Sequence, residues 1–315
     1  MMIQSQRTRK NSVFLTDLEE YPIFTKGDFT LKVDVRYLSE KSKKKAEEEL
    51  NETEEVKTKA LERMSELIKG EEDLDIPYDN RPFMVKFLRA RKFDVDEAFT
   101  LMKNYFKFKS EFPELFKDVV PSKVAYILAM NAAFMSPVKD QHGHTVLMGR
   151  AELFDPDIAT PMEFIAAGFV IGEGIMMEPE SQVNGFVGVI DCKGFSYKHF
   201  KKITISLIKL GLRLAQSVVP VIPRRVHLIN QNFYVNALYK IVKPFLPQEY
   251  IDMIYFHGEN IEELYEYIPK ECLLEHFGGT IKDPEITEEE YRDYLKGFDE
   301  EYLALNALGY RNYNF

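Results

Sequence analysis

The sequence predicts an α/β protein with an all-helical domain in front of it, and three observations carry that prediction. Residues from about 40 to 118 show helical periodicity. After Pro121 come short runs rich in Val and Ile that are apolar on both faces. Helical stretches separate those runs, as in βαβ units that build a largely buried sheet.

The helical domain opens at Ser39. From there to about Ala60 the chain is dominated by Lys and Glu, with Lys43–Glu47, Lys44–Glu48 and Lys45–Glu49 at helical spacing, the pattern of a solvated face. From Val56 to Ile68 an apolar stripe forms through Leu61, Met64, Leu67 and Ile68, and Gly70 with Glu71-Glu72-Asp73 ends it. A third helix starts at Arg81 with Phe83, Phe87 and Leu88. A fourth carries Ala98, Leu101, Met102, Tyr105 and Phe106 behind an N-cap at Asp94 or Asp96. Pro113 and Pro121 bracket the exit.

Three strands follow: His144 to Arg150 (HTVLMGR), Gly185 to Asp191 (GFVGVID) and Arg225 to Ile229 (RVHLI). The first connecting helix covers Pro161 to about Met176. The second covers Phe200 to Val218 on the stripe Ile203, Leu207, Leu210, Leu214 and Val218. Near the end, Thr287 to Leu295 reads as one further helix, packed back on the body.

Composition bounds the function. A chain of 315 residues that is 45% hydrophobic and 29% charged is ordinary for a globular protein. The formal net charge of −10 argues against a nucleic-acid binder, which needs a basic face to displace counterions. Cys192 and Cys272 have no metal-ligand spacing and read as reduced thiols. With no apolar run of about 18 residues and a polar, basic start from Met1 to Lys10, the expectation is a cytoplasmic protein without a secretory signal.

Enzyme signatures fail one by one. Gly172-Glu173-Gly174 is followed by Met177 where a dinucleotide fingerprint needs glycine. Ser196, in Gly194-Phe195-Ser196-Tyr197-Lys198, lacks the second glycine of a nucleophile elbow. His142 and His144 share a turn expected to be exposed, and two ligands do not make a zinc site. His227 and His257 lie in or beside apolar runs, as hydrogen-bonded core histidines do. Asp191 ends a strand, where α/β ligand sites lie, but has no acid–base partner in sequence. No catalytic residue, metal or cofactor is expected.

Phe233 to Leu246 is different. Asn236, Lys240 and Lys243 form one narrow polar stripe; opposite them run Tyr234, Leu238, Ile241 and Phe245, with Val235, Tyr239, Val242 and Leu246 in a second apolar row. Such a helix has apolar surface on two sides, which fits either a helix buried deep in the core or a lid with one face on a pocket and the other available to a membrane. Opening it halfway into water would cost roughly 4–7 kcal/mol, a cost that a bilayer removes. Pro244 near its end is placed to act as a hinge.

Several colinear blocks complete the reading: F-L-R-A-R-K-F-D-V-D (Phe87 to Asp96), V-I-D-C-K-G-F (Val189 to Phe195), R-V-H-L-I-N (Arg225 to Asn230), K-P-F-L (Lys243 to Leu246) and F-H-G (Phe256 to Gly258). Over residues 45 to 281 the chain resembles the CRAL-TRIO lipid-binding family, most nearly its tocopherol and retinaldehyde carriers. The resemblance implies a helical N-terminal domain, then a mixed β-sheet whose hydrophobic cavity is closed by a gate helix, here about Phe233 to Phe245. The implied division is 1–38 extension, 39–120 helical domain, 121–281 lipid-binding domain and 282–315 tail.

The pocket wall it implies comprises Phe134, Met148, Ile165, Gly168, Phe169, Gly172, Phe186, Ile190, Leu214, Val219, Val221 and Val226. The tocopherol carrier has serines at the positions of Gly168 and Gly172, so the cavity should be roomier and drier here. Tyr197, Phe233, Tyr234, Leu238, Ile241, Val242 and Phe245 would face the gate and the membrane. Arg224 and Arg225, with Lys198, Lys201 and Lys202, are candidates for phosphoinositide binding, although Glu249 and Met253 stand where the tocopherol carrier has basic residues. The implied function is a monomeric intracellular carrier that binds a hydrophobic small lipid (a retinoid, carotenoid or tocopherol-like isoprenoid) and transfers it at membranes. A phospholipid or phosphoinositide exchange or sensing protein and an enzyme on a similar frame are the alternatives.

Overall fold

The computed structural model describes residues 23–117 and 119–311; the rest of the N-terminal extension and the last four residues lie outside the described residues. Four helices build the N-terminal domain: Glu40–Leu50, Glu54–Gly70, Arg81–Ala90 and Val95–Glu111. The Lys/Glu-rich stretch fills the first helix and runs into the second, which carries the apolar stripe to Ile68. Asn51 adopts a left-handed φ of 62° and ends the first, and the Thr53 side chain caps the second by accepting from the Val56 amide. Asp94 caps the fourth, accepting from the Glu97 amide.

The central sheet has five strands in sequence order: Ala133–Met135, Thr145–Arg150, Phe186–Asp191, Pro223–Ile229 and Ile254–Gly258. The first pair is antiparallel and the others are parallel, so the sheet is mixed. Crossovers between parallel neighbours are right-handed, so strands laid down in order put all their crossover helices on one face. The side chains agree. Val146, Met148, Val187, Val189 and Ile229 pack on one face against Leu264, Ile268, Leu273, Leu274 and Phe277 of the C-terminal part. Leu147, Gly149, Gly188, Ile190 and Val226 point the other way, towards the crossover helices Pro161–Met176 and Ile205–Arg213.

Four features depart from the expected elements. The two edge strands were not anticipated. The connection read as one helix over Phe200 to Val218 is a turn of helix at Tyr197–Phe200, then Ile205–Arg213 capped by Thr204, then a π-helical turn Leu214–Val218. An N-terminal hairpin, Ile23–Lys26 with Phe29–Lys32, turns at Gly27 with φ +57°. The tail helix Glu288–Lys296 follows its Thr287 capping box as expected, but a second helix, Asp299–Asn306, and a strand at Gly309–Tyr310 come after it.

The helical domain has no core to itself. Phe83, Phe87, Tyr105, Phe106 and Phe108 share one cluster with Phe169, Leu214 and Val218 from beyond Pro121. Polar bolts cross the same junction. Arg89 grips both Glu52 carboxylate oxygens at 2.7 Å and the Gln182 side-chain oxygen at 2.6 Å. Buried Glu173 takes Lys86 at 3.2 Å and the Tyr105 hydroxyl. Burial pulls the neighbouring Lys109 ammonium down to about 8, against the attraction of Glu173.

Candidate functional site

Between the sheet and its crossover helices lies a cavity of about 640 Å³. Leu147, Gly149, Gly188, Ile190 and Val226 form its floor; Pro161, Phe164 and Ile165 form one wall and Leu207, Ile208 and Gly211 another. Phe154, Phe195, His199 and Ile203 stand at the end where the parallel strands finish, the end at which open α/β sheets receive ligands.

The polar groups at that end are engaged with protein, save Arg150 Nε, which is buried without a hydrogen-bond partner. His199 Nδ1 accepts from the Ser196 amide at 3.1 Å, which leaves the proton on Nε2 for the Phe154 carbonyl at 2.8 Å. Arg150 faces Asp283 at 3.3 Å and Glu152 at 3.4 Å, and Lys202 lies 3.8 Å from Asp157. What remains towards the cavity is hydrocarbon.

Asp191 has the partners that sequence could not show. It accepts from Asn230 Nδ2 and the Lys193 amide at 2.9 Å each, and its other oxygen meets His276 Nε2 at 2.7 Å. Burial opposes its charge, but these hydrogen bonds, that from His276 foremost, hold the carboxyl below its usual range. Its role is to tie the end of one strand to Asn230, the stem of the next helix.

That helix, Phe233–Val242, corresponds to the expected gate. The Asn232 side chain caps it, accepting from the Tyr234 and Val235 amides while donating to the Phe195 carbonyl at 2.6 Å. The α-helix stops before Pro244 and continues as a 3₁₀ turn, Lys243–Phe245. Val235 is buried, Tyr239 sets its ring 4.8 Å from Phe256, and Tyr234 lies beside Tyr197 and Phe200. Phe233 is 77% exposed, Phe245 44%, Ile241 37% and Tyr197 61%; Leu238 and Val242 are half-buried. This helix stands beside the cavity's end and supplies none of its lining; Phe233, Ile241 and Phe245 face water, while Val235 and Tyr239 pack against the body.

Of the expected pocket residues, Met148, Ile165, Ile190 and Val226 border the cavity. Met148 does so with its sulfur turned away, accepting from the Leu274 amide on the opposite face. Phe134 pairs with Met148 across the antiparallel ladder and shares that far face. Phe169 points into the helical domain, stacked on Phe108 with centroids 5.6 Å apart, and Leu214 and Val219 pack with the same cluster. Phe186 and Val221 lie towards the opposite end of the sheet, where the strands begin. Gly168 faces open space, with nothing within 4 Å of an added Cβ, and Gly172 would touch only Met176. Phe154, Phe164, Phe195, His199 and Gly211 line the cavity without having been singled out.

The basic candidates do not form one site. Arg224 begins a strand, donating to the Asn184 and Val183 carbonyls and reaching Glu49 at 3.1 Å; Arg225 lies over the Tyr267 ring. Lys198 follows the other end of the neighbouring parallel strand, held by Asp155 at 2.6 Å and Asp157 at 2.9 Å, and Lys201 beside it is exposed. About five residues of strand, roughly 16 Å, separate the two groups. His144, expected in an exposed turn, is buried against Asp140 at 2.8 Å, while His142 is exposed.

Comparison with known proteins matches this architecture. Residues 37–104 fit the CRAL/TRIO N-terminal domain and residues 129–279 the CRAL/TRIO domain. Clavesin-2 of Homo sapiens is 30% identical over 246 residues, 78% of this chain and 75% of that protein. The chain belongs to the CRAL-TRIO family. Another relative, clavesin-1 of Xenopus laevis, is 31% identical over 235 residues, 74% of this chain and 71% of that protein. The crystal structure of Sfh5 superposes with a TM-score of 0.51 at 15% identity, covering 78% of this chain and 98% of that one, which speaks to the fold alone. CRAL-TRIO proteins bind and transfer lipids. Among the described residues no helix is long and apolar enough to cross a membrane, and no group of His, Cys, Asp and Glu could hold a metal ion.

Proposed function

We propose that this CRAL-TRIO protein is a monomeric, cytoplasmic carrier that takes one hydrophobic isoprenoid-type lipid (retinoid, carotenoid or tocopherol-like) into the cavity and hands it over at membranes, without catalysing a reaction. The observation that carries this reading is the hydrocarbon-walled cavity of about 640 Å³. A cavity of that size falls within the roughly 300–1,000 Å³ range of pockets that take a single small-molecule ligand. A phospholipid with two acyl tails is far larger, and the charges at the cavity's end are already paired with protein. The exposed apolar side chains Phe233, Phe245, Ile241 and Tyr197 supply the surface that meets the bilayer.

Solvent extraction of the natively purified protein, followed by mass spectrometry, tests the ligand class. One isoprenoid-type molecule per chain is expected. Recovery of stoichiometric phospholipid would replace this reading with the exchange or sensing one.

A further inference from the structure

Three glycines line the cavity, Gly149 and Gly188 on the floor and Gly211 on a wall, and the protein itself requires none of them. None has a positive φ. A Cβ added at Gly211 would meet nothing within 4 Å; at Gly188 it would meet only the Val226 methyls at 3.9 Å; at Gly149 it would meet Ile190 at 3.7 Å and the Ala132 carbonyl at 3.9 Å. These are ordinary contacts, so alanine fits at all three positions. Yet glycine weakens a strand interior and a helix interior alike. A bare backbone that neither dihedral angles nor packing demands leaves room for something the chain does not contain, and the close approach of a ligand is one of the few reasons a strand carries such a glycine.

The register shows the shape of the bare patch. Leu147 sits opposite Gly188, and Gly188 opposite Val226; one step along, Gly149 sits opposite Ile190. Paired residues share a face, so Gly149 and Gly188 are diagonal neighbours, one strand across and two residues along, about 8 Å apart. Leu147 and Ile190 rise on either side of that diagonal, 36% and 38% exposed.

Resting on the carrier reading above, we propose that the ligand's chain lies along this diagonal, in van der Waals contact with the peptide planes at Gly149 and Gly188. The two glycines, with Gly211 on the wall, are the residues that set the cavity's preference for slender linear or polyene lipids over thick fused-ring ones.

The test uses two fluorescent probes, all-trans-retinol as the slender ligand and dehydroergosterol as the fused-ring one, on the full chain. The wild type should bind retinol at least tenfold more tightly than dehydroergosterol. Gly149→Ala, Gly188→Ala and Gly211→Ala should each weaken retinol binding three- to tenfold, with thermal unfolding no lower than wild type. Retinol affinity unchanged in all three variants, or a wild type that binds both probes equally, overturns the diagonal while leaving the carrier standing. A wild type that takes up neither probe overturns the diagonal, and recovery of no isoprenoid-type lipid in the solvent extraction overturns the carrier with it.

Discussion

His227 and His257 hydrogen-bond across adjacent strands, Nδ1 to Nε2 at 2.9 Å, with rings 5.1 Å apart and 21° from parallel. Both are buried; Tyr255 and Tyr267 stack around them, Arg225 lies nearby, and Glu263 approaches His257 Nδ1 at 3.3 Å. Burial first, then the His257 and Arg225 charges, push His227 down to about 4. The folded state therefore keeps this ring neutral while the unfolded chain protonates it below about 6.5. The associated stability is full above that pH and is lost as pH falls towards 4, about 3 kcal/mol in all. Denaturant unfolding at pH 7 and pH 4.5 should show most of this loss, and His227→Phe should remove it. An unchanged slope in that variant would contradict the assignment. Asp140 and Asp191, held below the usual carboxylate range, lose their contributions only at lower pH, so the two windows separate.

The exposed side chains of the helix Phe233–Val242 should matter to transfer and not to folding. Phe233→Asp, at a position 77% exposed, should change stability by less than about 0.5 kcal/mol. Vesicle-to-vesicle transfer of bound ligand should slow at least tenfold, with equilibrium affinity preserved. Val235→Asp, on the buried side of the same helix, should instead destabilise the fold. A Phe233→Asp variant that transfers at the wild-type rate would remove this helix from the membrane contact.

Arg89 joins the helical domain to the helix Pro179–Asn184 through Glu52 and Gln182. Arg89→Ala should cost about 3 kcal/mol, because it leaves the buried Glu52 carboxylate with only Lys57, 3.8 Å away, as a cationic partner. Arg89→Lys should recover little of that, since an ammonium cannot span both Glu52 oxygens. Thermal unfolding of the two variants reads this directly; a fully rescued lysine variant would show that charge alone suffices.

A second void of about 90 Å³ lies behind the helix Pro161–Met176, between Leu31 and Val33 and the tail residues Tyr294, Phe298 and Tyr302. Gly174 borders it, and a Cβ there would meet nothing within 4 Å. Gly174→Ala should stabilise by about 1 kcal/mol, since a helix interior prefers alanine, and should leave ligand binding unaltered. A fall in melting temperature would mean that the void is needed.

The three central strands were legible because a strand covered on both faces is largely apolar, and Val146–Gly149, Phe186–Ile190 and Val226–Ile229 hold one polar residue among them, His227. The edge strand Ala133–Met135 is three residues long and leaves no period to read. The break at Lys201–Thr204 was signalled only by Thr204 as a cap inside a continuous apolar stripe. The pocket was harder to read because the helix Pro161–Met176 is apolar all round. Phe164 and Ile165 meet the main cavity, Phe169 the helical domain, and Ile171 with Ile175 the second void. Periodicity finds such a helix but does not say which side borders empty space. Asp191's partners, Asn230 and His276, come from distant parts of the chain and only folding brings them together.

The common direction of the four parallel strands gives the molecule a top and a bottom. Cavity end, gate stem and Lys198 crowd the rim where those strands finish, while Arg224 and Glu49 occupy the rim where they start. A body that touches down on a lipid sheet by the first rim must hold the second up in the aqueous phase. Were the proposed membrane contact made by that first rim, strand polarity, set when the chain folds, would fix which way round the protein lands.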